Sequence, residues 1–245
     1  MDEVTPILVV EGLTKSFGAL RAVDGVSLSV RPGEILGIAG PNGSGKSTLF
    51  NLISGAQMHA DAGTVRFRGT AIQRMTPYAI ARAGLARTFQ RDADFATLSA
   101  RDNVAVAAGY GGNGTGADAA LRRVGLPTEI DDRPASELSS FDRRRLMIAS
   151  ALAMQPVLLM LDEPASGLTP PEIQRLADLI RSLKDDGMTI LLIEHVLPLL
   201  LDVSDRLIVL DQGRVIAEGL PDAVIRDPGV VEAYLGKGAA HDAAS

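Results

Sequence analysis

Short apolar runs alternate with turn residues through the first third of the chain. ILVVEG, AVDGVSLSV, RPGEILGIAG and GTVRFRG are rich in Val, Ile and Leu and punctuated by Gly and Pro, which predicts β-strands. From Pro77 to Arg87 the apolar spacing turns helical, and helical periodicity returns over Ala117–Val124 and Asp142–Met154. Between them, Gly109–Gly116 (GYGGNGTG) reads as a flexible connector. VLLMLDEP is a continuous apolar run closed by acids, the pattern of a strand buried on both faces, and MTILLIEH is another. A helix is predicted over TPPEIQRLADLIRSLKDDG, with a Thr169…Glu172 capping box, prolines at its first positions and an end at Gly187. DRLIVLDQGRVIAEG reads as a hairpin turning at Asp211-Gln212-Gly213. Strand–helix–strand order in the second half predicts a parallel sheet with crossover helices.

Composition narrows the classes. At 245 residues the chain is long enough for a substantial core. A net charge of −6 argues against a broad electrostatic grip on nucleic acid, and the absence of Trp argues against stacking platforms for single strands. There is no cysteine, which excludes disulfides, thiolate metal sites and a Cys nucleophile. The start, MDEVTPILVVEG, has acids before its apolar run and is not expected to act as a secretory signal. The most apolar stretch, TILLIEHVLPLLLDV, is interrupted by Glu194, His195, Pro198 and Asp202, so no membrane span of about 20 apolar residues is expected.

GPNGSGKST is where chemistry enters. Residues Gly40, Pro41, Asn42, Gly43, Ser44, Gly45, Lys46, Ser47 and Thr48 satisfy G-x-x-x-x-G-K-[ST] between the apolar run EILGIA and a helix-like KSTLFNLISG. Glycines let consecutive backbone N–H groups curl around phosphate oxygens, and a helix N-terminus adds its dipole. Lys46 is placed to reach the β- and γ-phosphates of a nucleotide and Ser47 to hold Mg²⁺. VLLMLDEP supplies a second half: Asp162 at a buried strand end supports the metal, and Glu163 orients or deprotonates an attacking water. These two pieces imply nucleotide binding and leave its purpose open.

Three further stretches matter through their order. LARTFQ ends in Gln90, LSSFDRRR precedes the acidic strand, and LLIEH ends in His195. In that order the chain resembles the ATPase subunit of an ABC transporter along nearly its whole length. GLTKSFGALRAVDGVSLSV, GLARTFQ and RVIAEGLPDAVIRDPGVVEAYLG more finely resemble the branched-chain amino acid importer type, specifically the ARTFQ-containing ATPase subunit.

The resemblance implies an α/β fold: a P-loop NTPase (RecA-like) core with an antiparallel β subdomain and a small helical subdomain. One domain would cover 1–245, with 1–89 and 156–245 forming the core and 90–155 the helical subdomain. It also implies that Gln90 touches Mg²⁺ and senses the permease, that His195 contacts the γ-phosphate, and that Phe17 stacks on adenine. Taken singly, Phe17 and His195 are as readily core residues and Gln90 a surface one. The implied partners are integral-membrane permease subunits, a second, non-identical ATPase in a head-to-tail dimer and, indirectly, a solute-binding protein, with no nucleic acid. The implied place is the cytoplasmic face of the inner (plasma) membrane, peripherally. Importers resembling the branched-chain amino acid type in this pattern also carry urea, short amides or aromatic acids, so the resemblance does not name the solute.

In such dimers each ATP is closed by the partner's signature loop, which reads LSGGQ or, in this subgroup, a form such as L-S-Y-G-D. Here it reads Leu138-Ser139-Ser140-Phe141-Asp142, with Ser139 kept as a phosphate contact and Phe141 in the glycine position. A left-handed conformation there would cost Phe about 1–2 kcal/mol and impair hydrolysis at the site this loop completes. Alternatively the ring points away and the N–H stays in place. The first case favours asymmetric hydrolysis, or a regulatory ATP-binding subunit with little turnover of its own. Two smaller departures are GGNGTG where helical sequence usually runs, in a region that helps form the permease groove, and Thr169 where Asp or Asn commonly makes an interface contact.

Overall fold

In a computed structural model that describes residues 5–56, 58–88, 94–111 and 116–235, the apolar runs pair into two sheets. The chain opens with β1 (Leu8–Phe17) and β2 (Leu20–Val30), then β3 (Ile35–Ala39) leading through the glycine loop into α1 (Lys46–Ser54). β4 (Ala62–Phe67), β5 (Thr70–Ala71), α2 (Pro77–Arg82) and β6 (Leu85–Arg87) follow. Next come three helices, α3 (Ala100–Gly111), α4 (Ala117–Arg123) and α5 (Ser140–Ala153). The second half runs β7 (Leu158–Asp162), α6 (Pro170–Asp185), β8 (Thr189–Ile193), α7 (Leu197–Val203), β9 (Arg206–Asp211), β10 (Arg214–Gly219), α8 (Pro221–Val224) and α9 (Pro228–Leu235).

One sheet is antiparallel, in the order β2-β1-β4-β5. The other has the order β10-β9-β3-β8-β7-β6, and from β9 to β6 every neighbouring pair is parallel. β3, β7 and β8 are buried at every position, as continuous apolar runs require when both faces are covered. Alternate side chains feed opposite faces. Ile35, Leu159, Leu161, Ile190 and Leu192 pack into the core that includes α3–α7. Leu36, Ile38, Leu158, Met160, Leu191 and Ile193 pack into the core shared with α1 and the antiparallel sheet. This two-residue alternation is strand geometry expressed in packing.

The capping box of α6 is present, with the Thr169 N–H donating to Glu172 at 2.8 Å. The hairpin turns at Gln212 (φ 47°) and Gly213 (φ 79°), a two-residue connection with both central residues at positive φ.

Three expectations need correction. The helical reading of Pro77–Arg87 holds only to Arg82, because Gly84 takes φ 103° and turns the chain into the three-residue strand β6 beside β7. The connector expected from Gly109 instead continues α3 to Gly111, and 112–115 lie outside the described residues. Phe141 is not left-handed. It sits in the first turn of α5, absent from the residues with positive φ, and its ring is 4% exposed. The guanidinium carbons of Arg145 and Arg175 lie 4.8 and 4.6 Å from the ring centroid, so the side chain is turned inward between α5 and α6.

Candidate nucleotide site

Parallel strands end together, so the residues that follow β3, β7 and β8 converge on one edge of the sheet. Asp162 is level with Ile193, and the Glu163 N–H donates to the Ile193 carbonyl at 2.9 Å. Lys46 opens α1 at the end of the loop from β3. Two glycines have steric reasons to be there. At Gly45 (φ 104°), a Cβ would lie 2.2 Å from the Ala22 carbonyl oxygen, and at Gly40 (φ 148°), 2.2 Å from that of Leu210. The loop is therefore wedged between β2 and β9, with the Gly213 N–H donating to the Ser44 carbonyl at 2.9 Å.

Lys46 is 5% exposed, and its ammonium donates to the Gly40 carbonyl at 2.7 Å and the Pro41 carbonyl at 3.0 Å, folding the side chain back along its own loop. Burial holds its pKa below the ordinary lysine value, against the opposing charges of Glu163, Asp162 and Glu194. Those three carboxylates act on one ammonium, which places the acidic strand end at the cradle. Pro41 is half-buried, while Asn42, Gly43 and Ser47 are exposed along the loop and first turn of α1, with Thr48 half-buried behind them. That first turn presents backbone N–H groups that have no partner within the helix.

Asp162 is 4% exposed; its Oδ2 takes Arg87 Nη2 at 2.7 Å, and its Oδ1 is buried with no hydrogen-bond partner. Glu163 has φ 46°, a conformation costing a side-chain-bearing residue about 1–2 kcal/mol. His195 Nδ1 lies 3.5 Å from Glu163 Oε2 and 3.8 Å from Glu194 Oε2, with its ring half exposed. Lys46, Asp162, Glu163 and His195 are thus brought together.

Phe17 is 49% exposed at the tip of β1, paired with Leu20 on the strand that runs past the cradle at Ala22. Ser139 caps α5, accepting from the Asp142 N–H at 3.1 Å and donating to its carboxylate at 2.8 Å, so its bonds are to its own helix start. Gln90 lies outside the described residues.

The residues present fit a hard divalent cation such as Mg²⁺. The bare Asp162 Oδ1 and the exposed Ser47 hydroxyl are oxygen donors, and Mg²⁺ takes one or two protein oxygens beside phosphate and water. Among the described residues no group of three or more His, Asp or Glu side chains makes a self-sufficient metal cage.

Three residues that build this site escape reasoning from motifs. Arg87 stands inside LARTFQ, and its pairing with Asp162 depends on β6 lying beside β7. Glu194, next to His195, is fully buried and accepts from the backbone N–H groups of Ala165, His195 and Val196 at 2.6, 3.1 and 3.4 Å. Tyr234 on α9 accepts the Gly40 N–H at 2.8 Å from 194 residues away.

Comparison with known proteins extends the geometry. The ABC transporter family profile matches residues 23–166, and that of the branched-chain amino acid ATP-binding cassette transporter matches residues 214–240. The high-affinity branched-chain amino acid transport ATP-binding protein LivG of Escherichia coli (strain K12) is 39% identical over 253 residues, covering 95% of this chain and 98% of its own. BraF of Pseudomonas aeruginosa, of the same description, shows the same identity and coverage. The crystal structure of an ATP-binding cassette of an ABC transporter in its ADP conformation superposes with a TM-score of 0.86 at 34% identity, over 95% of this chain and all of that one. Because the first match runs from β2 through the cradle to the acidic strand, and the relatives align over nearly their full lengths, this chain belongs to the ABC transporter family as one of its ATP-binding cassettes.

Proposed function

We propose that this protein is the ATP-binding and hydrolysing subunit of an ABC importer that takes up branched-chain amino acids or related amide- or urea-like solutes through a membrane permease. The observation that carries the reading is the convergence of Lys46, Asp162, Glu163 and His195 at the ends of β3, β7 and β8. Cradle N–H groups and Lys46 hold the phosphates, with the lysine giving up its two loop carbonyls to do so. Glu163 takes the proton of the attacking water as its oxygen bonds to the γ-phosphorus and the bond to the β-phosphate oxygen breaks. His195, beside Glu163, contacts the γ-phosphate. Ser47 and Asp162, with Gln90 by the resemblance, would hold Mg²⁺, which would supply neutralisation of the phosphate charge. Phe17 stacks on adenine.

Ser139 and the first turn of α5 close a partner's site in a head-to-tail dimer, and the relatives' type suggests a non-identical partner. The right-handed helix at Phe141 removes the strain that favoured a regulatory subunit without turnover, and of the first-turn N–H groups of α5 the Ser139 side chain takes that of Asp142. A cavity of about 390 Å³ between β6, α3 and α5, lined among others by Phe95, Val106, Tyr110, Met147 and Met154, suits the cytoplasmic element of a permease. No helix among the described residues is long and apolar enough to cross a membrane; the resemblance to importer ATPases is what supports peripheral attachment at the cytoplasmic face of the inner membrane.

Glu163→Gln tests the reading. ATP affinity should persist while Mg²⁺-dependent turnover falls by about 10²–10⁴-fold, the usual share of a general base. Unchanged turnover, or wild-type protein that fails to bind ATP, would refute it.

A further inference from the structure

We propose that Arg87 is a positioning residue for the metal-holding carboxylate, and that it links that carboxylate to the groove beside α3 and α5. The inference rests on the ATPase reading above and names a residue whose role that reading leaves open.

Arg87 ends β6, one strand over from Asp162, and its side chain is 6% exposed. One guanidinium nitrogen holds Asp162 Oδ2 at 2.7 Å, while another donates to Asn51 Oδ1 and Ser54 Oγ, both at 2.8 Å. Its guanidinium carbon also lies 5.5 Å from the centroid of the Phe50 ring. Asn51, Ser54 and Phe50 all belong to α1, the helix that opens at Lys46. A single planar fork therefore ties the cradle helix to the acidic strand end through two separate nitrogens, a span that the one nitrogen of a lysine does not offer.

A purely structural ion pair would account for burial and distance. It does not account for the division of labour between the two carboxylate oxygens. Arg87 engages Oδ2, while Oδ1 is buried with no hydrogen-bond partner, so the pair fixes the rotation of Asp162 and leaves one oxygen for a ligand. Groups that orient a metal-holding side chain in this way set its affinity. Thr88 adds a weaker hold, its hydroxyl 3.4 Å from the Asp162 N–H. Arg87 and Thr88 both line the groove. The permease element proposed above to fill the groove would therefore pack against the two residues that hold Asp162.

The test compares ATP affinity in EDTA and in Mg²⁺ for the full chain. In Arg87→Lys the Mg²⁺-dependent gain should shrink by about 10-fold, while affinity in EDTA stays within about 2-fold, the change a single lost contact remote from the phosphates would give. Asn51→Ala, which frees the fork without touching the charge pair, should reduce the gain in the same direction by less. A bulky maleimide on Ala107→Cys, a groove position in a chain with no cysteine, stands in for an occupant. Labelling should alter the Mg²⁺ gain several-fold with Arg87 present and much less in Arg87→Lys. Equal losses in EDTA and Mg²⁺, a full gain in Arg87→Lys, or a label without effect would overturn the proposal. A wild-type protein with no Mg²⁺-dependent gain would overturn the ATPase reading itself, which separates the two failures.

Discussion

Glu194 is enclosed on all sides, yet three backbone amides point at its carboxylate. Burial pushes its pKa above the ordinary 4.5, opposed by those amides and by His195. A carboxyl that keeps its proton longer folded than unfolded contributes stability below the unfolded value and loses it as pH rises through the folded one. Part of the protein's stability should therefore decline as pH climbs from about 4.5, and Glu194→Gln, which cannot ionise, should flatten that slope. Melting temperature against pH for the two proteins checks this, and parallel curves would contradict it. Tyr234 makes a separate case. Its hydroxyl accepts the N–H of Gly40, a buried residue, and burial raises the phenol's pKa. Tyr234→Phe leaves that N–H without its acceptor and should cost about 1–3 kcal/mol by urea denaturation. A loss indistinguishable from zero would mean water takes the place of the hydroxyl.

Helix α5 joins the loop beginning at Leu138 to the body of the protein, and Phe141 is the side chain that bridges it to α6. Phe141→Gly should therefore destabilise by about 3–5 kcal/mol through the lost ring, with a further ~1 kcal/mol for glycine within a helix. Turnover per folded molecule should not rise; a clear rise would restore the view that the ring disables the loop. The same helix shows what was legible. Its periodicity is read from Asp142, and the structure moves its start only to Ser140. The buried runs at β7 and β8, the cap of α6 and the turn at Gln212-Gly213 are likewise set by local chemistry that the residues display. β6 is not, because three residues become a strand only by bonding to β7. α3 is masked by its small residues, whose apolar spacing carries little amplitude. In the site, the loop from Gly40 to Lys46 declares itself through glycine spacing, while Arg87, Glu194 and Tyr234 acquire roles from tertiary neighbours.

Across the whole molecule, aromatic residues are only 4% of the chain, yet Tyr78, Phe95 and Tyr110 are each more than half exposed. The rings of Tyr78 and Tyr110 meet edge to face with centroids 6.3 Å apart, and Phe95 and Tyr110 line the groove. Exposed aromatics beside an apolar cleft are the usual anchors of a protein partner, each worth about 2 kcal/mol or more when fully covered. The groove is also lined in part by the buried side chain of Arg87 and by buried Thr88, which contact Asp162. On the proposed link through Arg87, binding energy gained at the aromatic rim would act on the residues that hold Asp162. Tyr110→Asp places a charge in that rim and should lower permease-stimulated turnover about 30-fold, the kinetic equivalent of one lost anchor. Basal turnover of the isolated protein should fall far less, since Tyr110 lies on α3 and lines the groove rather than the cradle. ATPase assays on the isolated protein and on the co-purified membrane complex check the difference, and an equal loss in both would place the aromatic rim outside the permease interface.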